Sequence, residues 1–462
     1  MKVGSISSSY IFKPGHRFEG EYYLNDNSYN SMIVENIPNQ TTLEKIANVF
    51  NPGIFKRQFC KNTGNAVEYF QSSDVPNSSE KSQVYVNKKQ AESLNLTVKR
   101  NDILVTGFGT IGNTRLVTKH QDNVCYANNV CRIRANDEQH VGFLYAFMSS
   151  KYGNAQLNKN ASGSVVRYIE SPGIRRTIIP DLPIDFQTKI DILIKESTAR
   201  RESSTEALTD AIKAIKEYVN YSFIEHPFKC ERVSSQDILN SLRLRIDPPS
   251  IMNDGVTAMK DVISKLPYKL IADLDVTVRR PGIFKRIKVE NGIPYIKGSE
   301  IFFANPFKRC EHLSKSRTPF IDEMALKEGQ ILVTCAGSVG DVKMITKEYE
   351  DKSAIGSQDI IRIDSPAEDD FNTDNLFCKE YLFAYLQLPF VYSYMQSMKY
   401  GSVIERIEPF HVESIPVVEP TPELSVKVKN LIRSYMDDSY KAFCLEEEAI
   451  TLVEKEIEKW NN

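Results

Sequence analysis

At 462 residues, with 41% hydrophobic and 26% charged residues, the chain has room for two to four domains that each bury a core, and its composition is that of an ordinary globular protein. No apolar run approaches the roughly 20 residues of a membrane helix, and Met1-Lys2-Val3-Gly4-Ser5-Ile6 lacks the apolar centre of a secretory signal. The net charge of −2 excludes a uniformly basic nucleic-acid binder, but it is unevenly spread: residues 1–184 carry 21 Lys/Arg against 15 Asp/Glu, and residues 223–421 carry 25 against 29.

Along the first half, Pro52-Gly53-Ile54-Phe55-Lys56-Arg57 reads as an exposed turn. Asp102-Ile103-Leu104-Val105-Thr106 is a short apolar strand, and Arg115-Leu116-Val117-Thr118 is its return strand. Between them Gly107-Phe108-Gly109-Thr110-Ile111-Gly112 fits G-x-G-x-x-G, a pattern that cradles a pyrophosphate only when a helix follows. A β-prone stretch follows instead, so a glycine-rich hairpin is the expectation. A helix is predicted over Val141–Tyr152, then Gly163-Ser164-Val165-Val166-Arg167-Tyr168-Ile169, then Pro180-Asp181-Leu182-Pro183. From there to about residue 221 no Pro or Gly occurs, and Ile190, Leu193, Leu208, Ile212, Ile215 and Val219 fall at helical spacing.

The second half repeats the first, at an offset that drifts from 229 to 228 to 238. Pro281-Gly282-Ile283-Phe284-Lys285-Arg286 returns the turn, Gln330-Ile331-Leu332-Val333-Thr334 the strand, Gly337-Ser338-Val339-Gly340 the glycine turn, and Val342–Thr346 the return strand. A helix is predicted over Lys379–Met395, limited or kinked by Pro389. Gly401-Ser402-Val403-Ile404-Glu405-Arg406-Ile407 follows, and after Pro420-Thr421-Pro422 a second long helix carries Leu431, Ile432, Tyr435, Phe443, Ile450, Val453 and Ile457. Glu368–Asp374, present only in this copy, is a solvated acidic loop. A period this long means duplicated domains. Each long helix either packs on its own domain or pairs with the other as a coiled coil.

Catalytic motifs are absent. There is no P-loop, H-E-x-x-H or G-x-S-x-G, and no histidine is repeated in register. Asp247-Pro248-Pro249-Ser250 is similar to the loop of amino-methyltransferases but lacks the stacking aromatic. The eight cysteines show no C-x-x-C, so neither zinc nor a disulfide framework is expected, and reduced thiols in a cytoplasm are. The repeated polar positions suit DNA: Lys56, Arg57, Lys285 and Arg286 after the Pro-Gly turns; Thr110, Asn113 and Arg115 with Ser338, Asp341 and Lys343 around the glycine turns; Ser164, Arg167 and Tyr168 with Ser402, Glu405 and Arg406 after the later glycines. Preserving turns in a duplicated fold is the competing explanation for any one of them.

The order F-K-R, I-L-V-T with its glycine turn, L-Y-A-F, G-S-V, and a long helix, all twice, resembles the specificity (S) subunit of type I restriction-modification systems over almost the full chain. The resemblance implies an α+β fold of two tandem, duplicated mixed α/β target recognition domains, each followed by a long helix, the two helices packing as an antiparallel coiled coil. Residues 1–184 and 223–421 would each read half of a split double-stranded DNA target. Residues 185–222 and 422–462 would be spacer helices that dock two methyltransferase subunits, which restriction subunits join. No catalytic residue, cofactor, metal or membrane is implied. Alternatives are the specificity subunit of a type IIB system, an orphan DNA-binding adaptor, or a scaffold that does not bind DNA.

Overall fold

The computed structural model describes residues 5–12, 20–62, 64–82, 84–137, 140–162, 167–223, 234–239, 245–365 and 376–461. Ser164, Cys230 and the acidic Glu368–Asp374 stretch lie outside them. The chain divides into two compact units, residues 1–202 with 441–462, and residues 203–440.

Each unit is built on the same four-stranded antiparallel sheet. In the first, Ala47–Phe50, Val130–Ala135, Ile103–Thr106 and Thr114–Leu116 lie in that order; in the second, Thr277–Arg279, Ile360–Asp364, Ile331–Thr334 and Val342–Met344 do. The registers agree residue for residue: Ile103 opposes Leu116 and Ile133, and Ile331 opposes Met344 and Ile363. The inner strands Ile103–Thr106 and Ile331–Thr334 are buried along their whole length because both faces are covered. One face packs on helices. The other packs on a smaller sheet that includes a parallel pair, Tyr69–Phe70 with Cys125–Tyr126 and Tyr295–Ile296 with Ile355–Gly356.

The single helix expected over Val141–Tyr152 is two, Val141–Ser149 and Lys151–Lys159. Ser150 takes an extended conformation between them and caps the second by accepting from the Gly153 N–H. The counterpart in the second unit also breaks, into Lys379–Leu386 and Pro389–Ser397, with Pro389 in the first turn, where its missing N–H costs nothing. The latter helices pack on Asp26–Glu35 and Asp254–Ile263, each opened by an asparagine cap, Asn25 and Asn253.

The two long helices are Ile184–Val219 and Pro422–Glu458. They run antiparallel: in the second unit, partners on one helix rise from Ser203 to Tyr218 as those on, or just before, the other fall from Asp438 to Glu419. In the first unit Ser197 Oγ donates to the Ala442 carbonyl at 2.7 Å and Arg201 pairs with Glu446 at 2.8 Å. In the second, Ser203 Oγ donates to Asp438 at 2.8 Å, Ser204 Oγ to the Tyr435 carbonyl at 3.0 Å, and Tyr218 Oη to the Glu419 carbonyl at 3.0 Å. The polar stretch near Arg200–Thr205 is thus where the hydrogen-bonded middle of the pair lies.

Each helix is divided between units. The first core takes Ile190 and Ile194 from the start of one helix and Ala449, Ile450, Val453 and Ile457 from the end of the other. The second takes Val428, Ile432 and Tyr435 with Ala211, Ile215 and Val219. Every domain therefore closes its core with a helical half that follows the other domain in sequence. Among the helix residues singled out from sequence, Ile190, Ile215, Val219, Ile432, Tyr435, Phe443, Ile450, Val453 and Ile457 are buried, while Leu193, Leu208, Ile212 and Leu431 are half-buried.

Candidate nucleic-acid interface

In both units three loops gather at one end of the main sheet. The first is the Pro-Gly-Ile-Phe-Lys-Arg turn. Phe55 meets Tyr69 edge to face at 6.5 Å while Arg57 lies 5.8 Å over the same ring; Phe284 meets Tyr295 at 6.5 Å and Arg286 lies 5.5 Å over it. One tyrosine thus holds both alternate residues of the turn. Burial raises the Tyr69 phenol pKa, and the Arg57 charge opposes that rise. The residues between are turned outward: Ile54 is 94% and Ile283 79% exposed, and Lys56 and Lys285 are exposed beside them.

The turn is fastened to the sheet end by equivalent bonds. Asn51 Nδ2 donates to the Asn128 carbonyl at 3.0 Å, and Arg280 Nε to the Gln358 carbonyl at 2.9 Å. The next residues, Asn129 and Asp359, accept from Gly107 N at 3.1 Å and Cys335 N at 3.3 Å, which opens the glycine hairpin.

That hairpin is anchored by the threonine ending each strand. The Asn113 N–H donates to Thr106 Oγ1 at 3.0 Å, and the Asp341 N–H to Thr334 Oγ1 at 3.0 Å. Gly109 and Gly337 have φ of +71° and +77° with nothing within 4 Å of a built Cβ, so glycine is required there by conformation and the backbone is open to approach. No helix follows, which removes the dinucleotide reading. The third loop runs beside the hairpin: Gly109 N donates to the Arg167 carbonyl at 3.3 Å and Gly337 N to the Glu405 carbonyl at 3.2 Å, with bridges Phe108–Tyr168 and Ala336–Arg406.

The residues expected to touch DNA divide accordingly. Lys56, Arg57, Thr110, Arg167, Tyr168, Lys285, Arg286, Ser338 and Ser402 are exposed, and Asn113, Asp341 and Arg406 are half-buried. Burial pushes the Asp341 carboxyl above the usual aspartate range. Arg115 and Lys343 are corrections, because both are buried. Arg115 donates from Nε to Gln121 at 2.9 Å, also to the Asn77 carbonyl, and faces Glu80 at 3.7 Å; Lys343 Nζ reaches Tyr435 Oη at 3.5 Å. They oppose Leu104 and Leu332 in the ladder, and their partners, Gln121, Asn77 and Glu80 for Arg115 and Tyr435 of the long helix for Lys343, lie away from the three loops.

Sequence reasoning missed a second pair in that row. Arg132 and Arg362 are fully buried, and neither guanidinium meets a carboxylate among its hydrogen bonds. Arg132 donates to the carbonyls of Leu96, Tyr126, Ala127 and Val130, with the shortest bond at 2.6 Å; Arg362 donates to the equivalent carbonyls of Met324, Gly356, Ser357 and Ile360. Burial pushes both down to about 10, which leaves them charged at neutral pH. The signal was available: an arginine set within an apolar run, Val130-Cys131-Arg132-Ile133 and Ile360-Ile361-Arg362-Ile363, 230 residues apart.

Asp247 is paired with Arg245 at 2.6 Å, which holds its carboxyl below the usual range and accounts for it as a structural residue. Among the described residues no group of His, Cys, Asp or Glu could hold a metal ion, and no helix is long and apolar enough to cross a membrane.

No protein-family model matches the chain, and no curated protein does. Solved structures similar to it are type I restriction-modification subunits. The S subunit from M. genitalium aligns over 97% of this chain and 96% of its own, at 13% identity and a TM-score of 0.32. The HsdS subunit from Thermoanaerobacter tengcongensis aligns over 90% and 95%, at 14% and 0.27. A third chain, from work on complex assembly and conformational transition of the type I R-M system, aligns over 92% and 97%, at 14% and 0.28. The likeness is one of extent along the chain, not of close superposition.

Proposed function

We propose that this chain is the DNA sequence-recognition subunit of a type I restriction-modification complex, without catalytic residues of its own. Each unit reads one half of a split target through its three-loop end. The paired helices fix the gap between half-sites and dock two methyltransferase subunits, which restriction subunits join. One observation carries this reading: the same loop frame is built twice, bond for bond, with an exposed Lys-Arg turn held on a tyrosine in each copy. A cationic turn on a fixed frame serves phosphate contact, while glycines with open backbone admit a close partner surface.

The test is co-expression with the neighbouring methyltransferase in a host free of methylation, followed by base-resolution modification sequencing. A single motif of two short half-sites at a constant gap is expected. A stable complex that leaves DNA unmodified would move the reading to an adaptor, and no complex at all would leave only the scaffold.

A further inference from the structure

In a duplicated reader, side chains identical in both copies can only contact what both half-sites share. Those that differ on an identical backbone are the ones able to tell the half-sites apart. The six residues of the Pro-Gly-Ile-Phe-Lys-Arg turn are identical, and so are the tyrosines beneath them. That loop fits the sugar-phosphate backbone, which is the same at every base pair.

The differing positions can be sorted by what already occupies them. Arg115 and Lys343 are buried. Arg167 donates to the Asn158 carbonyl, and Glu405 is paired with Lys399 at 2.6 Å. Asn113 and Asp341 are half-buried, with their backbones bound to the hairpin threonines. Thr110 and Ser338 present the same hydroxyl. Of the differing hairpin and third-loop positions described in both units, what remains is the cross-strand pair between the two loops. In the first unit it is Phe108 and Tyr168, 41% and 37% exposed, stacked at 5.6 Å with their planes 16° apart. In the second it is Ala336 and Arg406, on the same bridge, with no partner for the Arg406 guanidinium among the described residues.

Resting on the DNA-reading function proposed above, we infer that half-site discrimination resides in this pair. Arg406, with small Ala336 leaving space beside it, presents a fork that matches the O6 and N7 acceptors of guanine. Phe108 and Tyr168 present a flat apolar surface with one hydroxyl, suited to a thymine methyl. The two half-sites thus differ at the base pair this pair faces: a guanine in the second, a thymine in the first.

The experiment is selection from a randomised duplex library by the full chain in complex with its methyltransferase. It compares wild type, Arg406→Lys, and the transplant F108A/Y168R. Arg406→Lys keeps the charge and loses the fork, so discrimination at one guanine of the second half-site falls about tenfold or more while the first half-site is unchanged. The transplant replaces a thymine preference in the first half-site by guanine at the same place. If the transplant fails to fold, the lysine variant still decides. Wild-type motifs from both variants, or degeneracy spread over both half-sites, would overturn the assignment, as would loss of methyltransferase binding with the motif intact. A wild-type complex that enriches no split motif would instead defeat the DNA-reading function itself.

Discussion

Arg132 and Arg362 illustrate how a single residue can organise a unit. Each binds four carbonyls that belong to the seam between the main sheet and the smaller one, so the guanidinium is the shared partner of both layers. Replacing Arg132 by Met keeps the volume and leaves those acceptors short of donors, at a cost of roughly 3 kcal/mol, since each orphaned buried group costs about 1–3. Chemical denaturation of the Arg132→Met variant tests this; a shift below about 1 kcal/mol would mean that water replaces the side chain. Asp341 gives a pH-dependent expectation. Its burial favours the neutral acid, so the folded chain keeps that proton to a higher pH than the unfolded chain does. Stability is withheld at neutral pH and regained as pH falls through the raised pKa. Asp341→Asn should therefore melt higher than wild type at pH 7, and the advantage should vanish once wild-type Asp341 is protonated. An advantage independent of pH would assign the effect to packing instead.

At the scale of elements, repetition made the sheet legible. A four-residue apolar run is ambiguous alone, but the same run with the same glycine spacing 228 residues on identified Ile103–Thr106 and Ile331–Thr334 as strands with hairpins. What failed was the direction of side chains in short strands. Arg115 and Lys343 sit in three-residue strands, too short for alternation to say which face is wet, and only the register decides. Val141–Tyr152 read as one helix because Ser150 is an unremarkable residue until its hydroxyl is seen to accept from Gly153. The site was legible in outline. The turn residues were visible from sequence, while the Phe108–Tyr168 stack was not, since it joins two loops 60 residues apart. Two element-level tests follow. K56A/R57A should weaken DNA retention and lower the slope of log affinity against log salt by about 2, near 1 per phosphate contact; an unchanged slope would remove the turn from the interface. Glu446 accepts from Arg201 at 2.8 Å and from Tyr145 Oη at 2.9 Å, joining both long helices to the first domain. Glu446→Ala leaves the largely buried Arg201 uncompensated and should cost about 3 kcal/mol of stability, whereas replacing both Arg201 and Glu446 with apolar residues should recover much of it.

For the whole molecule, the sharing of helical halves makes each core depend on distant sequence. A chain ending at Tyr440 lacks Ala449, Ile450, Val453 and Ile457, which line the first core, yet retains every residue named in the second. Hydrogen exchange on that truncated chain should show residues 103–106 and 130–135 exposed while 331–334 and 360–364 stay protected; uniform protection, or uniform loss, would refute the division. The same arrangement sets a clock on synthesis. Ile457 follows Val219 by 238 residues, an interval of about 12–48 s at a ribosome's 5–20 residues per second. The domain made first is thus the one that waits longest to be finished, with an apolar trough open throughout. The end of its own helix carries Ala211, Ile215 and Val219, 238 positions ahead of Ala449, Val453 and Ile457 and of nearly the same shape. In a crowded polysome the trough's nearest match is that stretch on a neighbouring nascent chain, so the slower this message is translated, the more its products should be found entangled in pairs.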